Sequence, residues 1–233
     1  MSSSDLAWLT GLIEGEGYFG IVRGRGIVRV VMTDADIIER LKTVSGTGTV
    51  IQLPQRAERY KRAYAWTIER EAVVPDLLLM TAPWLGTRRR MRVDEILRLQ
   101  GLETPAATPL SPGSDEAWNW VSGLIEGEGA FQPGPATKRR GAQVVADSTD
   151  KDVIERLAIL TGVGTVLNLG SQQARLKVRY RWSVTRKADV ESVLSRIMPM
   201  LGTRRTGQAS YVLEQMQRGR RPTRTARCHP RIR

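Results

Sequence analysis

The sequence predicts a mixed α/β fold of the α+β class, built as two related αββαββα-type repeats, and three observations carry that prediction. The stretch Leu9-Thr10-Gly11-Leu12-Ile13-Glu14-Gly15-Glu16-Gly17 returns nearly unchanged as Val121-Ser122-Gly123-Leu124-Ile125-Glu126-Gly127-Glu128-Gly129. Later landmarks return in the same order: Gly46-x-Gly48 as Gly162-x-Gly164, Trp66 as Trp182, and Leu85-Gly86-Thr87-Arg88-Arg89 as Leu201-Gly202-Thr203-Arg204-Arg205. Between them, segments of helical period alternate with pairs of β-rich segments, a pattern unlike a parallel βαβ array. The displacement is 112 residues at the motif, from Gly11 to Gly123, and 116 at the later landmarks, from Trp66 to Trp182; the extra four fall around 133–141.

In the first half, residues 5–17 read as a helix. Asp5 is placed to cap its start, Leu6, Leu9, Leu12 and Ile13 recur at helical spacing, and Gly17 stands where a terminating glycine is expected. Gly11 and Gly15 lie inside it, four apart. Interior glycine costs a helix roughly 1 kcal/mol relative to alanine, so the pair needs a compensating reason. Close backbone approach along one helix face is the reason the spacing supports. Gly123 and Gly127 repeat it, so the two helices are expected to pack through their glycine faces about a pseudo-twofold axis, with Glu16 brought beside Glu128.

The rest of the repeat follows in order. Residues 18–32, broken by Gly24-Arg25-Gly26, read as a strand pair, and 34–45 as a helix ending at Gly46. Residues 47–53 and 59–69 read as a second strand pair, 72–80 as a helix, 83–89 as a break and 91–100 as a last helix. The proline-bearing stretch 101–116 is the expected linker between a first repeat, 1–100, and a second, 117–217.

Residues 175–185 give the cleanest strand pattern. Leu176, Val178, Tyr180, Trp182 and Val184 alternate with Arg175, Lys177, Arg179, Arg181, Ser183 and Thr185, so one face packs and the other is offered. The matching offered side chains of the first half are Arg59, Lys61, Thr67 and Glu69, with Arg62 on the packing parity. Arg23, Arg25 and Arg29, and Lys138, Arg139 and Arg140 in the lengthened hairpin, add to the basic surface. Gln52 and Asn168, matched in the paired strands, either read adenine through bidentate contacts or meet solvent. A solvated sheet face would also alternate in this way; four basic residues with no acid among them favour phosphate and base contact.

The bulk numbers agree. The 233 residues, 41% hydrophobic, suffice for a real core. A net charge of +12 and a pI near 10.6 point to a polyanionic partner, with nucleic acid first among them. The tail 218–233, with seven arginines, two prolines and no acid, is expected to be disordered in isolation; it adds nonspecific DNA affinity or is solvated excess. A single cysteine, Cys228, excludes an internal disulfide, and Cys228-His229 has no partner ligands for structural zinc. No apolar run approaches the ~20 residues that span a bilayer, and residues 1–5 lack a basic signal-peptide start. The expectation is an intracellular protein without a membrane partner, in the cytoplasm or nucleoid of a bacterial or phage-infected host.

Two carboxylates at juxtaposed helix C-termini repel each other, and the helix dipoles add partial negative charge at the same place. A divalent cation relieves that conflict, and carboxylate and carbonyl oxygens suit Mg2+, which keeps waters and takes phosphate oxygens as further ligands. Beside a basic sheet face this arrangement suits metal-assisted hydrolysis of a phosphodiester. For one Glu-x-Glu, acids on a solvated helix end would be the plainer reading; two copies placed by glycine packing favour the metal.

These residues resemble the paired motifs of the LAGLIDADG homing endonucleases in their single-chain, two-repeat form. The likeness covers about residues 6–217 and includes the Pro-x-Leu-x-Thr-Arg-Arg segment of each repeat. It implies a monomer whose pseudo-twofold-related halves set antiparallel sheets as a saddle over the major groove of double-stranded DNA. It further implies cutting of both strands of a long pseudo-palindromic site to leave 3′ overhangs, as in intron homing. By motif position, Glu16 and Glu128 match the family's catalytic, metal-binding acids, with the Gly15 and Gly127 carbonyls near the metal. Mg2+ is the implied ion, Mn2+ a substitute, and Ca2+ an ion that binds without supporting efficient cleavage. Glu14 and Glu126 match a position that is not catalytic, and are expected to be supporting or solvent-facing. Family members often carry a lysine near the scissile phosphates where this chain has Arg88 and Arg204, and a glutamine where it has Met32 and Ser148. Arginine stabilises phosphate charge but does not exchange a proton near neutral pH. The resemblance also admits a noncatalytic DNA-binding regulator or an RNA-splicing maturase; acids at both motif positions favour the enzyme.

Overall fold

The computed structural model describes residues 1–55, 57–70, 72–134, 141–171 and 177–218. The first half runs α1 (Ser3–Glu16), β1 (Gly17–Val22), β2 (Arg25–Met32), α2 (Ala35–Ser45), β3 (Thr49–Gln52), β4 (Tyr64–Ile68), α3 (Val74–Thr81), a 3-10 turn (Ala82–Trp84) and α4 (Thr87–Arg98). The second runs α5 (Asp115–Glu128), β5 (Gly129–Gln132), β6 (Gln143–Ser148), α6 (Lys151–Thr161), β7 (Thr165–Gly170), β8 (Arg179–Val184), α7 (Lys187–Ile197), a 3-10 turn (Met198–Met200) and α8 (Thr203–Arg218). The expected order of elements is therefore present twice. The strands form two antiparallel sheets of four, ordered β1-β2-β4-β3 and β5-β6-β8-β7. Among the described residues no helix is long and apolar enough to cross a membrane.

Each sheet buries one face beneath its helices. In the first, Phe19, Val28, Val30 and Trp66 pack with Ile37, Ile38 and Leu41 of α2; in the second, Val144, Ala146 and Trp182 pack with Val153, Ile154 and Leu157 of α6. The Gly-x-Gly repeats serve the two tryptophans. Gly46 and Gly162 close α2 and α6 in the left-handed region. Gly48 and Gly164, at φ +92° and +90°, pass so near that an added Cβ would lie 2.4 and 2.3 Å from an indole nitrogen. The indoles are thereby held, Trp66 Nε1 donating to the Thr47 carbonyl at 3.0 Å and Trp182 Nε1 to that of Val163 at 2.9 Å.

At the centre, α1 crosses α5 backbone to backbone. A Cβ on Gly11 would stand 2.0 Å from the Trp120 carbonyl oxygen, and one on Gly123 would stand 2.0 Å from that of Trp8. One turn on, a Cβ on Gly15 would lie 3.1 Å from Glu128 Cγ, and one on Gly127 would lie 2.7 Å from Glu16 Cγ. The first glycine of each pair thus lets the helices touch, and the second makes room for the opposite helix's acid.

Several local expectations are corrected. Ser2, not Asp5, caps α1, its hydroxyl accepting from Asp5 N at 3.1 Å. Gly17 is extended (φ −71°, ψ 137°) and starts β1; a Cβ there would lie 2.3 Å from the Ile13 carbonyl oxygen, so closeness rather than left-handedness selects glycine. Helix α4 begins at Thr87 instead of 91, so the last three residues of the expected break are helical; the amides at its start are bonded by acids distant in sequence. Strand β4 starts at Tyr64 rather than 59, because Tyr64 pairs with Met32 and Gln52, the last residues of β2 and β3, and the ladder ends there. Strand β8 likewise starts at Arg179. Helix α8 runs through Arg218, the first residue assigned above to the tail.

Substitution separates the two kinds of glycine. Gly11→Ala forces a methyl into backbone and is expected to destabilise by about 3 kcal/mol or more. Gly207→Ala, inside α8 with nothing within 4 Å of the new methyl, is expected to stabilise by about 0.5–1 kcal/mol. Urea denaturation midpoints of the two variants would check both signs.

Candidate metal site and nucleic-acid interface

Glu16 and Glu128 are the last residues of α1 and α5, and each reaches across the axis over the glycine of the other helix. Neither carboxylate takes a hydrogen bond or ion pair among the described residues. Burial, chiefly, raises Glu16 above its ordinary value; burial and then the Glu16 charge push Glu128 up to about 7. Two acids resist ionising together because nothing bonded to them neutralises the pair. A cleft beside Glu16 is lined by Met32, Thr33, Asp34, Ala63, Gly127 and Arg204.

The helix ends beneath the acids are closed by arginine. Arg89 donates from Nε to the Glu14 carbonyl at 3.1 Å, from Nη2 to that of Gly15 at 3.0 Å, and from Nη1 to that of Gly17. Arg205 repeats this on the Glu126 and Gly127 carbonyls at 3.2 and 3.1 Å. A guanidinium at a helix C-terminus opposes the dipole and satisfies carbonyls that have no partner within the helix. The Gly15 and Gly127 oxygens, expected near a metal, are thus already hydrogen-bonded, each with a second lone pair remaining.

Glu14 and Glu126 do not face solvent. They are 3% and 0% exposed, and their Oε2 atoms accept from Gly86 N at 2.6 Å and Gly202 N at 2.8 Å, which fixes the starts of α4 and α8. Burial pushes Glu14 up to about 7 against the pull of the Gly86 amide, and raises Glu126 as well. Glu126 Oε1 is buried with no hydrogen-bond partner among the described residues.

Arg88 and Arg204 are engaged across the repeats. Arg88 Nε donates to both Asp150 oxygens at 2.9 and 2.7 Å, and Arg204 Nε to both Asp34 oxygens at 2.8 Å. Asp34 and Asp150 occupy the N-cap positions of α2 and α6 yet make no cap bond there. Two residues on, Asp152 accepts from Thr87 N at 2.7 Å and Asp36 from Thr203 N at 2.8 Å, so each Asp-x-Asp holds the Gly-Thr-Arg-Arg of the other half. Arg156 adds bonds to the Trp84 and Leu85 carbonyls and lies over Trp120; Arg40 bonds the Met200 carbonyl at 2.5 Å and lies over Trp8. Sequence reasoning missed this clasp. Its signal was the coincidence of a repeated Asp-x-Asp with a repeated Gly-Thr-Arg-Arg.

The sheet faces away from the helices carry a subset of the expected contact residues. Arg25 and Arg29 of β2, Thr67 of β4 and Arg179 of β8 lie on them. Arg29 is half-buried, and its Nε has no partner among the described residues. Arg181 also lies there but is paired with Asp147, Nε to Oδ1 at 2.6 Å and Nη2 to Oδ2 at 2.7 Å. Ser183 is 9% exposed. Arg23 sits in the β1–β2 turn at φ +50°, and Arg59, Lys61, Lys177 and Thr185 fall outside the strands. Gln52 and Asn168 pair with Tyr64 and Tyr180, on the parity that faces the helices, and Asn168 Oδ1 accepts from Gly170 N at 2.8 Å. Lys138, Arg139, Arg140, Arg175 and tail residues 219–233 lie outside the described residues.

No family model and no curated protein matches the chain. Solved structures do. A structure of the meganuclease I-SmaMI bound to uncleavable DNA gives a TM-score of 0.63 at 13% identity, over 94% of this chain and 93% of that one. The LAGLIDADG meganuclease I-AabMI bound to uncleaved DNA gives 0.61 at 18%, over 92% of each chain. The LAGLIDADG homing endonuclease I-GzeII in complex with a DNA target gives 0.60 at 12%, over 94% and 92%. The chain therefore has the two-repeat fold of the LAGLIDADG homing endonucleases, and at these identities the likeness is one of fold.

The raised carboxyl of Glu128 sets a pH dependence. A group whose folded pKa lies above its unfolded value of 4.5 stabilises the fold fully below 4.5 and loses that contribution as pH rises toward about 7. In EDTA, Glu128→Gln is expected to gain on the wild type across that window, by about 2–4 °C in thermal midpoint at pH 7.5 relative to pH 4.5. A difference that does not change with pH would remove the burial and repulsion ascribed to this site.

Proposed function

From the fold shared with the LAGLIDADG homing endonucleases, we propose that this protein is a divalent-metal-dependent, site-specific DNA endonuclease. Mg2+ is the working ion, Mn2+ substitutes, and Ca2+ supports binding without efficient cleavage. The carrying observation is the pair of carboxylates, Glu16 and Glu128, delivered to one place by glycine contact and left without a bonded cation. Their donor chemistry fits a hard divalent cation: two carboxylates, nearby helix-end carbonyls, and positions left for water and phosphate oxygen. Such an ion, when bound, would activate a water and stabilise the leaving oxygen of a phosphodiester.

The chain's own residues do the rest. Glu16 and Glu128 hold the ion. Arg89 and Arg205 fix the two helix ends, and Glu14 and Glu126 anchor α4 and α8, which carry those arginines. Arg204 keeps its positive charge beside Glu16, and it and Arg88 are held charged chiefly by their hydrogen bonds to Asp34 and Asp150. Two unlike sheets acting as a monomer would read a long pseudo-palindromic site and cut each strand once, leaving the 3′ overhangs of the homing reaction. A noncatalytic DNA-binding regulator or RNA maturase is the second reading, favoured by the engagement of Arg88 and Arg204 with acids rather than with open space.

Cleaved sites are to be selected from randomised duplex DNA in Mg2+, and Glu16→Gln and Glu128→Gln assayed on the selected target. Each variant is expected to lose cleavage by roughly two orders of magnitude or more while binding DNA normally. EDTA is expected to abolish cleavage in the wild type. Cleavage that survived both substitutions would refute the role given to these acids.

A further inference from the structure

The two uncovered sheet faces differ in kind. On the first, Gly20, Ile27, Val31, Ala63 and Ala65 stand where the second has Gln132, Gln143, Asp147, Arg179 and Arg181. The register makes the equivalence direct: Gly20 pairs with Ile27 as Gln132 with Gln143, and Val31 with Ala65 as Asp147 with Arg181. At these five positions the second face carries hydrogen-bonding groups and the first apolar ones; elsewhere the two are mixed, Arg29 standing where the second has Val145, and Ile51, 48% exposed, where it has Leu167, 43% exposed.

That apolar face is open to solvent. Tyr18, Val22, Val31 and Ile51 are 56, 51, 39 and 48% exposed. Gly20 lets the Tyr18 ring lie across the strand, since a Cβ there would be 2.6 Å from the ring. An uncovered antiparallel face is ordinarily polar, so this one is shaped for an apolar partner. Yet Arg29 stands in its middle, paired with Tyr18 on one side and Thr67 on the other, its buried Nε lacking an acceptor among the described residues. A guanidinium with an unmet donor calls for an acceptor, Arg25 lies on the same face, and in a chain of net charge +12 the two favour a polyanion as the partner. The face suits a surface that is apolar in patches, rich in acceptors and bordered by phosphate. In the DNA major groove, the one apolar group on any base edge is the 5-methyl of thymine.

We propose that the first sheet recognises its DNA half-site through thymine 5-methyl groups packed against Tyr18 and Val31, with Arg29 donating to a neighbouring base or phosphate. The second sheet reads its half by hydrogen bonding from Gln143, Arg179 and the Arg181–Asp147 pair. This rests on the endonuclease reading above and deepens it: the two halves of the target differ in chemistry.

In a target selected by cleavage, each thymine is replaced singly by deoxyuridine, which removes only the methyl, and Kd is measured in Ca2+. One half-site is expected to weaken by about three- to fivefold at each of two or more thymines, and the other at one thymine at most, beside Leu167. The double variant Val31→Asp, Ala65→Arg installs the pair that Asp147 and Arg181 make at the equivalent positions, and is expected to abolish the sensitivity of that half. Tyr18→Ser, at an exposed position of edge strand β1, is the second variant and is expected to abolish it at a single base pair. Deoxyuridine tolerated throughout, equal sensitivity in both halves, or sensitivity unchanged in both variants would overturn the proposal while leaving the endonuclease reading intact. Dimerisation through this face without DNA would overturn it too. A library that yields no cleaved site would overturn the endonuclease reading and this inference together.

Discussion

Two helices can bring their backbones into contact only where neither carries a side chain, and this molecule is arranged around one such place. With Gly11 against the Trp120 carbonyl and Gly123 against that of Trp8, the backbones of α1 and α5 meet directly. Each helix is the first element of its half and leads directly into the first strand of its sheet. The contact therefore sets the relation between the two sheets as well as the separation of Glu16 and Glu128. A methyl group at the crossing would alter all of these together.

Contact on that scale gathers negative charge, and the surrounding residues read as its containment. Helix dipoles and four glutamates converge on one end of the pair. Glu14 and Glu126 are turned away to bond backbone amides, and Arg89 and Arg205 cover the carbonyls, so of the four glutamates only Glu16 and Glu128 have no bonded partner among the described residues. The Asp-x-Asp segments then bind each half's Gly-Thr-Arg-Arg to the other half, reciprocally about the axis. Each half thereby supplies groups to the other half's acid. Arg205 and Arg204 of the second repeat act on Glu16 alongside Arg89 of the first, and Arg89 acts on Glu128.

The duplication, the order of elements and the glycine contact were legible in the sequence because each leaves a local mark: a repeated string, a hydrophobic period, or an interior glycine pair that needs a reason. The clasp was not legible residue by residue. Asp34 and Asp150 look like helix caps and Arg88 and Arg204 like phosphate ligands, because their partners lie 170 and 62 residues away. Glu14 is left between a supporting and a solvent-facing role for the same reason, since the amide it bonds, that of Gly86, lies 72 residues on. Strand ends were read too long where alternation outlasted the neighbouring strands, as at Lys61 and Lys177. The offered face was read from charge alone, which found Arg179 but passed over the apolar side chains of Val31 and Ile51.

The central claim is that two acids, set side by side by glycine contact, form one divalent-cation site on DNA. Calorimetric titration of Ca2+ into the complex with a selected target, for the wild type and for the variant carrying both Glu16→Gln and Glu128→Gln, tests it most directly. The account predicts ion uptake by the wild-type complex and its loss in the variant, with DNA still bound. Undiminished uptake by the variant would contradict it.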